Sequence, residues 1–217
     1  MSIAIMVLGE SGSGKSTSLR NLDPSDTLLI QAIRKPLPFK SKWTVVSKDN
    51  PKGNIYISDN ADQICHAMVN TKRSVVVVDD FQYVMCNEFM RRSHEKGYEK
   101  FTEIGRNAWN ILNMAGQLPE WKRVYILSHT DTTDQGRIKA KSIGKMLDDK
   151  ITMEGMFSIV LRTQVINEQH VFSTQNNGSD TCKTPMGMFD QSHIDNDLAM
   201  VDQSIYSYYD LTQPQAA

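Results

Sequence analysis

Apolar residues along this chain follow two alternating periods. Short runs at 3–8, 27–32, 55–58, 74–79, 123–128 and 157–162 are rich in Val, Ile and Leu and are bounded by polar residues, glycine or proline. Unbroken apolar runs of that length read as strands buried on both faces. Between them, near 15–21, 61–70, 81–93 and 102–118, apolar residues recur every three to four positions, as on a helix with one buried stripe. The stripe is clearest in the last of these, where Ile104, Ala108, Ile111, Leu112, Ala115 and Leu118 share one face. Strands alternating with helices predict an α/β fold with a mostly parallel sheet.

The pattern changes after residue 160. Segments 158–163 and 170–173 flank a polar turn at Asn167-Glu168 and predict an antiparallel pair that extends the sheet, with a second turn over 176–180. Leu198, Val201, Ile205 and Tyr208 return to helical spacing, with Asp197 placed as an N-cap, so the chain is expected to close with an amphipathic helix. The expected organisation is a core over 1–190, with the 191–217 helix and acidic tail packed on the same domain.

The chain has 217 residues, 40% hydrophobic and 23% charged, which suits one domain with a full core. No run approaches the roughly 18 apolar residues of a membrane span, so no membrane partner is expected and a cytoplasmic location is. Cys65, Cys86 and Cys182 are far apart and form no metal-ligand spacing, which predicts reduced packing residues. The net charge of −1 conceals an asymmetry. Arg34, Lys35, Lys40, Lys42, Lys48 and Lys52 face a single acid, Asp49, in one short stretch, whereas no Lys or Arg follows Lys183. At the acidic end Asp202, Asp210 and the Gln213-Pro214-Gln215 tail are expected to stay in solvent beyond an apolar helical stripe; the alternative is that its aspartates, Asp190, Asp195 and Asp202 among them, compete with DNA phosphate for the basic loops.

The strongest chemical signal follows the first strand. Gly9-Glu10-Ser11-Gly12-Ser13-Gly14-Lys15-Ser16 completes the phosphate-loop pattern G-x-x-x-x-G-K-[ST]. Glycines at 9, 12 and 14 let the backbone wrap an anion with its N–H groups turned inward, and a helix starting near Lys15 would add its positive dipole end. Lys15 is placed to reach the β- and γ-phosphates of ATP, Ser16 to ligate Mg²⁺, and Thr17 to touch phosphate. The run Val75-Val76-Val77-Val78 ends in Asp79-Asp80, an acid pair at the edge of a central strand where ligands sit. Asp79 is the expected Mg²⁺ partner through water, and Asp80 the group that polarises the attacking water.

The order of these features resembles the small RecA-like ATPases of bacteriophages, including the Sak-type single-strand annealing proteins. A phosphate loop near the start and an acid pair are followed by a long helix and a strand ending in Ser128-His129. A Lys/Gly-rich stretch over 136–145 and the segment Phe157-Ser158-Ile159-Val160-Leu161-Arg162 complete the likeness, which covers about residues 3–205. It implies a RecA-like P-loop NTPase core that assembles into a ring or filament and acts on single-stranded DNA in phage recombination, in the host cytoplasm, alongside a single-stranded DNA-binding protein. By the same resemblance His129, with Ser128, senses the γ-phosphate, and Arg137, Lys139, Lys141 or Lys145 reaches the ATP of a neighbouring subunit. The glutamate that many such ATPases use is replaced here by Asp80 or, on the second strand, Gln31, with Glu10 a poorer candidate.

For DNA, residues 34–52 interleave Arg34, Lys35, Lys40 and Lys42 with Phe39 and Trp43, the combination that neutralises phosphates and stacks unpaired bases. Arg91 and Arg92 lie where the resemblance places a first DNA loop, and residues 130–141 where it places a second. Two other readings remain open: a small-molecule or nucleotide kinase, and a nucleotide-gated adaptor without turnover.

Overall fold

A computed structural model describes residues 1–143 and 150–212. Its strands are β1 (Ile3–Gly9), β2 (Thr27–Gln31), β3 (Ile55–Ile57), β4 (Val75–Asp79), β5 (Arg123–Thr132), β6 (Ile138–Ala140), β7 (Ile159–Ile166), β8 (Gln169–Ser173) and β9 (His193–Asp195). The α-helices are α1 (Ala61–Asn70), α2 (Gln82–Arg91), α3 (Glu99–Gln117) and α4 (Leu198–Tyr208), and short 3-10 segments span Ser16–Asn21 and Met153–Met156. They build an α/β fold on one mixed, mostly parallel sheet of nine strands, ordered β3-β2-β4-β5-β1-β7-β8-β9, with β6 folded back on β5. Pairing is parallel from β3 to β7, and β7, β8 and β9 pair antiparallel.

Continuous apolar strands need cover on both faces, and alternate residues of each strand supply two cores. On one face Met6, Leu8, Val76, Val78 and Ile126 pack beneath α1, α2 and α3, whose buried residues include Ile64, Met68, Val84, Ile104, Ala108 and Ile111. On the other, Ile5, Val7, Val77, Tyr125 and Leu127 pack with Leu19, Trp43 and, from α4, Leu198, Val201 and Ile205. Strand β9 and helix α4 therefore belong to the same sheet and core as the rest. No helix among the described residues is long and apolar enough to cross a membrane.

Three local features differ from the sequence reading. Within segment 15–21, Ser16–Asn21 forms a six-residue 3-10 turn, not an α-helix. So short a segment aligns few peptide dipoles, and the phosphate loop gains little from a helix end. Next, β5 runs past His129 to Thr132 and returns as β6, making the 130–141 stretch a hairpin instead of an open loop. Finally, the acidic end is only partly solvated. The Asp197 carboxylate caps α4 by accepting from Ala199 N at 2.9 Å, as expected. Asp202, however, accepts from Arg123 Nη2 at 2.8 Å and from the Tyr125 hydroxyl at 2.6 Å. Two donors buried at the start of β5 require a carboxylate partner, which holds Asp202 against the sheet. The 213–217 tail, including Gln213-Pro214-Gln215, and Lys145 lie outside the described residues.

Lys122 offers a test of the packing at that same end of the sheet. It is 1% exposed, and its Nζ donates to the Met68 carbonyl at 3.1 Å and to that of Thr71. Burial pulls its ammonium from the ordinary 10.5 down to about 8. Between those two values the unfolded chain holds a proton that the folded protein has released, so stability rises with pH across that window. Lys122→Met is expected to flatten the rise, read as the difference between variant and wild type in urea unfolding at about pH 7.5 and about pH 9.5. An unchanged difference would show that Lys122 keeps its proton in the fold.

Candidate functional site

The C-terminal ends of the central strands converge at one edge of the sheet. Gly9 at the end of β1 is in register with His129 of β5, and Gln31 at the end of β2 with Asp79 of β4. The loop that follows β1 is built by its glycines. A Cβ at Gly9 would collide with Thr163 and Ser13, and Gly14 has φ 106°, a left-handed conformation that L side chains rarely adopt. Ser13 pins the turn by donating to the Glu10 carbonyl at 2.7 Å and by hydrogen bonding to the Thr163 hydroxyl. Lys15 Nζ folds over the loop and donates to the carbonyls of Gly9 at 2.7 Å and Glu10 at 2.8 Å. Desolvation lowers its pKa to about 8, against the opposing pull of Asp79 and Asp80. Ser11 and Gly12 stay exposed at the loop's tip.

The acid pair sits opposite. Asp79 is fully buried and accepts from Ser16 Oγ at 2.9 Å. Burial, reinforced by the neighbouring Asp80 charge, raises its carboxyl above the usual range. Asp80 has φ 58°, which costs an L residue about 1 kcal/mol even though Asp tolerates it better than most. Burial acts upward on Asp80 too, but hydrogen bonds from His129 and Lys35 prevail and hold it below the usual value. Lys35 Nζ lies 2.5 Å from Asp80 Oδ2 and 3.9 Å from Asp79 Oδ2, and His129 Nε2 lies 3.5 Å from Asp80 Oδ1. The Tyr83 ring meets His129 edge to face at 6.0 Å.

Lys15, Ser16, Lys35, Asp80, Tyr83 and His129 line a cavity of about 360 Å³. One wall is cationic and amide-rich and the other carries the Asp80 carboxylate, with Asp79 buried behind it, an arrangement that can take a polyphosphate with a divalent cation between phosphate and acid. Ser16 and Asp79 are the oxygen donors placed for that cation. Among the described residues no group of three or more His, Cys, Asp or Glu is set to hold a metal alone, so any cation here must draw most of its ligands from phosphate and water.

The structure thus brings together Gly9, Glu10, Ser11, Gly12, Ser13, Gly14, Lys15, Ser16, Thr17, Asp79, Asp80 and His129 at one edge. Ser128 is fully buried, its hydroxyl has no hydrogen-bond partner among the described residues, and it does not line the cavity; His129 alone of that pair reaches the acids. Gln31 is 2% exposed and donates to the Lys35 carbonyl at 3.2 Å, which turns it toward the 33–36 backbone and away from a catalytic role. Arg137 and Lys139 sit on the β5–β6 hairpin, and the Lys141 backbone donates to the His129 carbonyl at 2.8 Å.

The nucleic-acid candidates divide. Trp43 is 9% exposed and belongs to the second core, so its ring presents no face to a base; burying so large an apolar side chain against the sheet is the stronger effect. Phe39 packs against that same cluster. Lys35 turns inward to the acid pair instead of outward to phosphate. Arg91 pairs with Asp59 at 2.7 Å, and Arg92 with Glu88, Glu95 and Glu103 at 3.1, 2.7 and 2.5 Å, so local acids already compensate both charges. Arg34, Lys40 and Lys42 remain exposed.

Sequence reasoning assigned Lys35 to a DNA-binding surface and missed it as the partner of the acid pair. The available signal was its position four residues beyond the last residue of β2, at the sheet edge where ligands bind. No protein-family model matches the chain, and no curated protein matches it in sequence.

Proposed function

We propose that this protein is a Mg²⁺-dependent ATPase of the RecA-like class, acting on single-stranded DNA in bacteriophage recombination or annealing as a homo-oligomer in the host cytoplasm. One observation carries the reading furthest. Strand β5 lies between β1 and β4, which brings His129 into register with Gly9 and within 3.5 Å of Asp80. A polar side chain between the phosphate loop and the acid pair is where a γ-phosphate sensor belongs, as the resemblance implies.

In this reading Lys15 releases the Gly9 and Glu10 carbonyls and takes the β- and γ-phosphates. Ser16 and, through water, Asp79 would hold a Mg²⁺, which would supply positive charge against the phosphate oxygens. Asp80 orients the attacking water, and its release from Lys35 sets when it does so. Arg137, Lys139 and Lys141 are the finger candidates toward a neighbouring subunit. Arg34, Lys40 and Lys42 supply the basic surface for DNA phosphates, with a single-stranded DNA-binding protein as a further partner.

ATP turnover measured with and without single-stranded DNA tests the proposal. Turnover that DNA stimulates is expected, and that stimulation should weaken as salt rises, because phosphate contacts release counterions. Phosphate transfer to a small metabolite would replace the reading with a kinase, and ATP binding with no turnover under either condition would replace it with a nucleotide-gated adaptor.

A further inference from the structure

Thr17 lines two cavities. The first holds Lys15, Asp80 and His129. The second, of about 350 Å³, is enclosed by Thr17, Arg20, Gln169, His170, Asp195 and Asn196. Within its wall Asn196 is 3% exposed, and neither its side-chain Oδ1 nor its Nδ2 has a hydrogen-bond partner. Buried primary amides are satisfied in nearly all folded proteins, so two orphaned groups on one residue beside a cavity ask for a ligand.

The residue is held firmly in place. Arg20 donates to its carbonyl, Asp197 beside it accepts from Asn21 Nδ2 at 2.6 Å, and β9 and α4 anchor it on either side. Its Oδ1 faces the phosphate loop, 3.1 Å from where a Cβ at Gly14 would stand, and His170 Nδ1 is 2.9 Å from the Ser13 carbonyl. Glycine at 14 leaves no side chain between the amide and the loop.

We propose that the second cavity is the nucleoside subsite and that the Asn196 amide reads the base as adenine. This rests on the nucleotide reading above and adds to it the location and identity of the base. A triphosphate whose terminal phosphate meets Asp80 and His129 runs along the loop backbone and leaves it at Thr17, which delivers the nucleoside to the Asn196 side. Contact with the base requires the Asn196 side chain, which lies against the loop at Gly14, to turn into the cavity that the residue lines. A primary amide sets a donor beside an acceptor, matching adenine N7 and N6–H; the same edge of guanine offers two acceptors and leaves the amide carbonyl unpaired.

Binding of ATP, GTP and inorganic tripolyphosphate, each with Mg²⁺, to the full chain tests this. Wild type is expected to prefer ATP over GTP by about tenfold or more. Asn196→Leu should erase that preference while leaving tripolyphosphate affinity unchanged. Retained preference in the variant, equal loss of ATP and tripolyphosphate, or no ATP preference in wild type would each overturn the subsite. Failure of wild type to bind tripolyphosphate or ATP at all would overturn the nucleotide reading itself. Photolabelling of wild type with 8-azido-ATP gives an answer independent of the variant's folding: label on Gln169, His170 or Asn196 supports the subsite, and label on Ile33, Pro36 or Pro38, which line the first cavity, places the base elsewhere and overturns it.

Discussion

Lys15→Ala is expected to lower ATP affinity by about 100-fold or more, since hydrogen bonds to charged groups contribute about 1.5–3 kcal/mol each and this ammonium is aimed at two phosphates. The fold should survive. Lys15 carries a desolvated charge that donates to the Gly9 and Glu10 carbonyls, and burial already disfavours that charge. Its removal relieves a cost as it loses two contacts, so the melting midpoint should stay within about 3 °C of wild type. Calorimetric titration with ATP beside a thermal melt checks both parts. Wild-type affinity in a folded Lys15→Ala protein would remove the basis of the nucleotide reading.

Loss of turnover without loss of binding is the expected behaviour of Asp80→Asn. An amide keeps the size of the side chain but can neither hold the Lys35 charge nor polarise water, and a positioned acid or base contributes about 100-fold or more to rate. Asp79→Asn should act differently. Asp79 is buried against Ser16 and not against the cavity's open side, so its loss should raise the Mg²⁺ concentration needed for half-maximal turnover. Steady-state kinetics over a Mg²⁺ series separates the two. Equal rates for wild type and Asp80→Asn would move the water-orienting role elsewhere, with Glu10 next to be changed.

Much of this architecture could be read from the chain because its strands are unbroken apolar runs and its helices carry clean stripes. Val75 to Val78 cannot be anything but a strand buried on both faces, and the α3 stripe admits one period only. The extension of β5 was hidden, since His129-Thr130-Asp131-Thr132 is polar throughout and leaves no alternation to detect. The 3-10 character of 16–21 was equally hidden, because a single turn of either helix shows the same spacing. The phosphate loop and acid pair announce themselves through residue type and order. Lys35, Trp43, Arg92 and Asp202 do not, because each is decided by a partner elsewhere in the fold. A basic stretch with interleaved aromatics looks alike whether the rings face a nucleic acid or the back of a sheet, and only the packing of Trp43 against the second core tells them apart.

The Arg123–Asp202–Tyr125 cluster joins β5 to α4, and the seating of Leu198, Val201 and Ile205 beside Ile5 and Val7 joins β1 to the same helix. Nearly two hundred residues separate Ile5 from Leu198, so part of one face of the sheet stays uncovered during synthesis until α4 leaves the ribosome. Such long-range closure is slow and exposes apolar surface meanwhile. A chain truncated before residue 198 is expected to leave Ile5, Val7 and their neighbours incompletely covered and to bind chaperones, so the strand that supports the phosphate loop completes its packing late in synthesis.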